Sequence, residues 1–403
     1  MSAAPLVLAQ DFAVADHWPD SAGVFVSGSS HVIGHDDGVP NNVATGTDMY
    51  QNFREPVSVR MNNGRVLVLC HAGNRHSWPE RSGQDLAVTY SDDGGQTWAQ
   101  ARVAGEHGNY SMQSHGLVYD AQIDRVMVLY TLYRWDYAAI NGRGTDAARP
   151  AVQATLDRGE MLHRQYMIYS DDHGETWSEP RDITHMMPAE GENGHFGACE
   201  GRQLTLGDHA GRLLLTGGLR YEADGGSPSR KDLFVWISDD HGETWRKSES
   251  ILETENERNY SCEARVTELP DGSLLYNQRT RHTGRVQARS TDGGETWTQL
   301  EQVPQLKASQ CNGSMLTLRN AEGNLTDTLL CSLPTPGGRS NGVIYVSIDG
   351  GRTWPVRHDM VAGSFAYSSL VQIDTDTVAL FYETNHYRDI NVMLLPVDKL
   401  LED

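Results

Sequence analysis

Ser91-Asp92-Asp93-Gly94-Gly95-Gln96-Thr97-Trp98 decides the fold, because its pattern, S-x-D-x-G-x-T-W, returns four more times along the chain. The later copies run from Ser170 to Trp177, Ser238 to Trp245, Ser290 to Trp297 and Ser347 to Trp354. Self-similarity at such intervals marks a radial or stacked array of like units. Each copy follows a β-prone run, at residues 85–90, 163–169, 233–237, 285–289 and 342–346, and then enters a turn rich in Asp and Gly. This reads as a hairpin: glycine supplies the positive φ, and the Asp side chain accepts hydrogen bonds from turn amides. The closing Trp is large enough to pin the turn against a sheet. D-x-D-x-G also opens a calcium loop, but no copy has the bidentate Glu that such a loop needs at its twelfth position. The repeat is therefore read as structural, and no metal is expected.

Five repeats allow five four-stranded blades. Beyond Trp354, three strand-like runs at 365–373, 377–383 and 390–397 fall one strand short of another blade. A strand near the N-terminus, around 23–32, would complete it and close the ring, leaving no open sheet edges. The expectation is all-β, a six-bladed β-propeller of four-stranded antiparallel blades, with residues 1–403 forming one domain.

The formal net charge is −21, and no Lys/Arg-rich run is present, so nucleic acid is a poor partner. No apolar stretch is long enough to cross a membrane as a helix, and no leader is visible at Met1. Cytoplasmic location is the expectation, with secretion if a leader has been removed. The five cysteines are odd in number and lack C-x-x-C spacing, so they read as buried thiols of a reducing compartment. Residues 135–160 show little period-two alternation and read as an insertion, either a plain surface loop or a lid or subunit contact. Nothing in the sequence sets an oligomeric state.

The stretches between the repeats carry the chemistry. They include Phe53-Arg54-Glu55-Pro56, Ala72-Gly73-Asn74-Arg75, Tyr260-Ser261-Cys262-Glu263-Ala264-Arg265, Asn277-Gln278-Arg279, Cys311-Asn312-Gly313-Ser314 with Arg339, and Ala366-Tyr367-Ser368-Ser369 with Glu383. In this order around the ring they resemble the motifs of the sialidase superfamily, whose Asp-boxes the five repeats match. The resemblance covers roughly residues 23–397. Asp-boxes also occur in propellers that catalyse nothing, so the repeats alone imply fold and not function.

The resemblance implies a retaining exo-sialidase that releases terminal sialic acid, or a related ulosonic acid, from a sialylated glycan or a small glycoside, with no cofactor. Its substrate carries a carboxylate on the anomeric carbon, which Arg54, Arg279 and Arg339 would clamp with the planar, bidentate bonds that lysine lacks. Arg75 stands where the family has a further arginine. A carboxylate nucleophile would be repelled by that substrate, whereas a neutral phenol is not, and sialidases are the recognised tyrosine exception among retaining glycosidases. Tyr367 is the implied nucleophile and Glu263 its base. Glu383 would orient Arg54, although Glu55, at a position usually apolar, competes for that role. The acid/base lies between Arg75 and Asp85, with Glu80 favoured over Asp85 and His76 still open. The polar stretches 109–116 and 194–200 depart from the family and leave the sugar's identity open. The alternatives are a glycosidase or lyase of the same class acting on another ulosonic or uronic acid, and a non-catalytic glycan-binding propeller.

Overall fold

The computed structural model describes residues 14, 18–26, 50, 52–73, 84–106, 110–134, 163–186, 193–197, 199–222, 228–252, 263–280 and 284–402. The chain is all-β and propeller-like in arrangement. The described strands form five hydrogen-bonded sheets. Three have four strands, one has five and one has nine. The expectation of six separate four-stranded sheets thus differs from the ladder observed. The reason is local: Gln84 pairs in parallel with Ser111, which joins the sheet containing Asn52–Arg60, Val66–Gly73 and Gln84–Ser91 to the one containing Tyr110–Asp120, Arg125–Arg134 and His163–Ser170.

Ala22–Phe25 lies antiparallel to Asp389–Pro396, with Ala22 opposite Val392, so the first described strand sits on the sheet formed by the last three. The segment 135–160, expected as an insertion, lies outside the described residues.

Each repeat builds the same turn. In the first, the Ser91 hydroxyl accepts the Gly95 amide at 2.8 Å and donates to Asp93 Oδ1 at 2.8 Å. Asp93 also takes the Thr97 amide at 2.9 Å and the Thr97 hydroxyl at 2.5 Å. These bonds hold the Asp93 carboxyl down at about 2, the Thr97 hydroxyl being the largest cause. The fifth repeat copies the arrangement with Ser347, Asp349, Gly351 and Thr353. The invariant glycine has two reasons to be there. Its φ is positive in all five turns, and in four of them a Cβ would collide with the neighbouring unit: Gly174 with Leu67 at 2.3 Å, Gly242 with Met127 at 2.4 Å, Gly351 with Leu275 at 2.5 Å, and Gly95 with Leu394 of the last sheet at 2.9 Å, whereas at Gly294 it would make only ordinary contact at 3.5 Å. The repeats therefore serve as close-contact points between neighbouring sheets.

The core is divided in the same way. One apolar cluster joins the first strands to the last sheet, through Phe53 and Val68 against Phe381 and Val392. Others join consecutive units: Leu67 with Val128, Met127 with Trp236, Leu214 with Tyr276, Leu275 with Leu329, and Leu330 with Leu380. All four described cysteines are buried free thiols.

Candidate active site

The innermost strands deliver the site from one end. Arg54 lies near the start of Asn52–Arg60, Glu263 immediately before Ala264–Glu268, and Tyr367 immediately before Ser368–Gln372. A β-bulge between Arg54 and Val57 interrupts the first of these strands and puts Glu55 at φ 58°, an uncommon conformation for a residue with a side chain.

The Tyr367 hydroxyl donates to Glu263 Oε1 at 2.6 Å. Arg279 Nη1 donates to the same hydroxyl at 3.1 Å and to Glu263 Oε2 at 2.5 Å. Arg54 and Arg339 approach the Tyr367 ring, their guanidinium carbons 5.4 and 5.0 Å from its centroid. Three arginines from distant stretches of sequence thus converge on one phenol. Burial alone would raise the Glu263 carboxyl, but the charge and hydrogen bond of Arg279 outweigh it and bring the group down to about 2. Burial, reinforced by the Glu263 charge, pushes the Tyr367 phenol well above its usual value, while Arg279 and Arg339 pull the other way. At neutral pH the pair is an ionised carboxylate accepting a hydrogen bond from a neutral phenol.

Glu383, fully buried, orients Arg54: its Oε1 accepts Arg54 Nε at 2.8 Å and the Glu55 amide at 2.7 Å, and its Oε2 accepts the Tyr367 amide at 3.3 Å. Glu55 offers Glu383 its backbone, while its own carboxylate lies 3.6 Å from His71 Nδ1. Asp85 is buried in Gln84–Ser91 and takes the Tyr50 hydroxyl at 2.5 Å. Arg75, His76 and Glu80 lie outside the described residues.

Sequence reasoning missed Tyr387. Asn385, His386 and Tyr387 all have positive φ in the turn before Asp389–Pro396, and this turn sets the Tyr387 ring 4.6 Å from the Arg54 guanidinium carbon and 5.6 Å from that of Arg339. No sequence pattern announces such a turn. It also missed His71, whose Nε2 lies 2.8 Å from His115 Nδ1. Among the described residues, Glu55, His71 and His115 form a group whose donor atoms lie within 4.8 Å of one another. The two rings hydrogen-bond each other, and Arg54 beside His71 and Arg265 beside His115 oppose a bound cation. Burial is the largest cause holding both imidazoles neutral, well below the usual value for His71 and at about 3 for His115.

The family description "BNR repeat-like domain" matches residues 150–380, and "BNR/Asp-box repeat" matches residues 89–100. The chain is similar to a sialidase of Bacteroides fragilis, 28% identical over 358 residues, covering 84% of this chain and 61% of that protein. It is also similar to an anhydrosialidase of Macrobdella decora, 31% identical over 234 residues, covering 54% of this chain and 29% of that protein. Against these relatives the chain spans less than two thirds of their length. Among solved structures, the Hadza microbial sialidase Hz136 superposes with a TM-score of 0.73 at 23% identity, covering 94% of this chain and 69% of that one. At that identity the likeness is one of fold.

Proposed function

The chain belongs to the BNR repeat-like family, within the sialidase superfamily, and from that premise we propose that it is a retaining exo-sialidase acting on terminal sialic acid, or a close ulosonic-acid relative, of a sialylated glycan. The observation that carries this reading is the 2.6 Å bond from the Tyr367 hydroxyl to Glu263 inside a cluster of three arginines.

The arginines bind the substrate carboxylate and hold the anomeric carbon over the phenol. The Tyr367 oxygen attacks that carbon as its proton passes to Glu263 Oε1. The aglycone leaves with a proton from an acid in the 75–85 segment, Glu80 or Asp85. Water then attacks the glycosyl–tyrosine bond, the same acid now acting as base, and Glu263 returns the proton to the phenol oxygen. Two displacements retain configuration. Arg279 spans both partners, so it stabilises the phenol oxygen as its proton leaves and Glu263 before it accepts that proton.

Six blades in one domain is the architecture we propose. The apolar clusters support it, since they divide the chain into six neighbouring units in a closed sequence, with the nine-stranded sheet counted as two blades sharing one bridge.

The test is a panel of fluorogenic ulosonic-acid glycosides, followed by NMR of the first-formed product. Release of sialic acid as the retained anomer supports the proposal. Release of a close ulosonic-acid relative with retention supports it equally, whereas no release from any glycoside of the panel, or inversion, removes it.

A further inference from the structure

The inner strands have a second end. Arg60, Glu268, Arg319 and Gln372 are the last residues of the strands Asn52–Arg60, Ala264–Glu268, Ser314–Arg319 and Ser368–Gln372. At about 3.3 Å per residue, they lie roughly 15–20 Å from the Tyr367 end. There they line a cavity of about 230 Å³ together with Arg202 and Thr317.

The charges in this cavity are unbalanced. Arg202 reaches in with only main-chain acceptors, Nε to the Val266 carbonyl at 3.4 Å and Nη2 to the Met315 carbonyl at 3.1 Å. Arg319 donates to the Gly323 carbonyl at 2.7 Å and, at 3.5 Å, to the Thr205 hydroxyl. Two acids, Glu200 and Glu268, line the same cavity, but their hydrogen bonds and ion pairs go to other groups. Glu200 pairs with Arg265 at 2.8 Å and accepts the Ser369 hydroxyl. Glu268 accepts the Thr205 amide and hydroxyl and the Leu206 amide. Among the described residues, neither Arg202 nor Arg319 forms an ion pair with a carboxylate. Burial of Arg202, and the partial covering of Arg319 at the rim, lower both guanidinium groups below their usual values, while the charges of Glu200 and Glu268 oppose this at Arg202 and Arg319 respectively.

We infer that this end of the channel is a binding site for a small oxyanion of the phosphate, sulfate or carboxylate class, held between Arg202 and Arg319. A guanidinium fork matches two oxygens of such an anion, and a cavity this size takes one tetrahedral anion with several waters, each of about 30 Å³. Arg202 precedes the third unit's long hairpin and already bonds the Met315 carbonyl of the strand that Arg319 ends, so the anion ties two non-adjacent units together. This inference does not depend on the reaction proposed at the other end.

The experiment is calorimetric titration of inorganic phosphate, at constant ionic strength, into the full chain and into Arg202→Met, Arg319→Met and Arg339→Met. The expected result is saturable binding, weakened at least about tenfold by either of the first two changes and unaltered by the third. No saturable binding to the unmodified chain overturns the inference. So does binding lost in Arg339→Met and kept in Arg319→Met, which puts the phosphate among the upper arginines. If Arg202→Met does not fold, Arg319→Met decides alone, because that side chain is exposed at the rim.

Discussion

Arg54 Nε and Glu383 Oε1, 329 residues apart in sequence, meet at 2.8 Å with both side chains almost wholly shielded from solvent. The carboxylate also gathers the Glu55 and Tyr367 amides, so one buried group fixes an arginine and the backbone that carries the phenol. Glu383→Ala leaves a buried cation without its partner, a loss of about 3–5 kcal/mol. Chemical denaturation should show it, together with a raised KM. A variant as stable as the parent would mean that Arg54 finds another anchor.

Tyr367→Phe keeps the ring against Arg54 and Arg339 while deleting the attacking oxygen. Stability should move by less than about 1.5 kcal/mol, and turnover should fall by at least about 100-fold. A fluorinated ulosonic-acid trap followed by peptide mapping should label the peptide containing Tyr367. Label elsewhere would remove it as nucleophile.

Glu80→Gln should slow release of poor leaving groups far more than of activated aryl groups, which scarcely need protonation. If Asp85→Asn shows that split and Glu80→Gln does not, the acid is Asp85, and its bond to Tyr50 belongs to the mechanism.

The fold depresses the Glu263 carboxyl to about 2 from its ordinary 4.5, so the ionised form is the stabilising one. Its contribution is complete above about 4.5 and lost as pH falls through about 2. The stability gap between the parent and Glu263→Gln should therefore be widest at neutral pH and shrink on acidification over that window. Denaturation at pH 6 and pH 3 measures it, and a gap independent of pH contradicts the assignment.

Glycines at positive φ can be separated by function, one in the plain turn between Ala264–Glu268 and Leu274–Arg279 and one in the fifth repeat. Gly272 has φ 80° with open space around its Cβ position, whereas Gly351 has φ 76° and would meet Leu275 at 2.5 Å. Gly272→Ala should cost only the backbone strain, about 1–2 kcal/mol. Gly351→Ala adds the overpacking of a contact between units, a further ~1–3 kcal/mol. Equal losses would show that the close contact relaxes freely.

The repeats could be read from sequence because their chemistry is local: Ser, Asp, Gly and Thr bond within one turn, and spacing alone reveals it. The ordered motifs around Arg54, Glu263, Arg279, Arg339, Tyr367 and Glu383 were legible as a resemblance, and the fold supplies their meeting point. Three features were not legible. Tyr387 depends on three successive left-handed residues with no glycine among them. The His71–His115 contact crosses between strands of different units. The bridge from Gln84 to Ser111 depends on how close two neighbouring strands come, which no residue type encodes.

The pairing of Ala22–Phe25 with Asp389–Pro396 has a consequence in time. A ribosome delivers residues 22–25 hundreds of residues before the strand that will receive them. Until residue 392 emerges, the early strand has no partner and its own edges stay open, a template for pairing with another chain. Pairing residue 22 with residue 392 also closes a loop of most of the chain, so its search is slow. Exposure to aggregation should therefore peak late in synthesis, and a permuted gene that begins after residue 25 and appends residues 22–25 behind the last strand should shorten it.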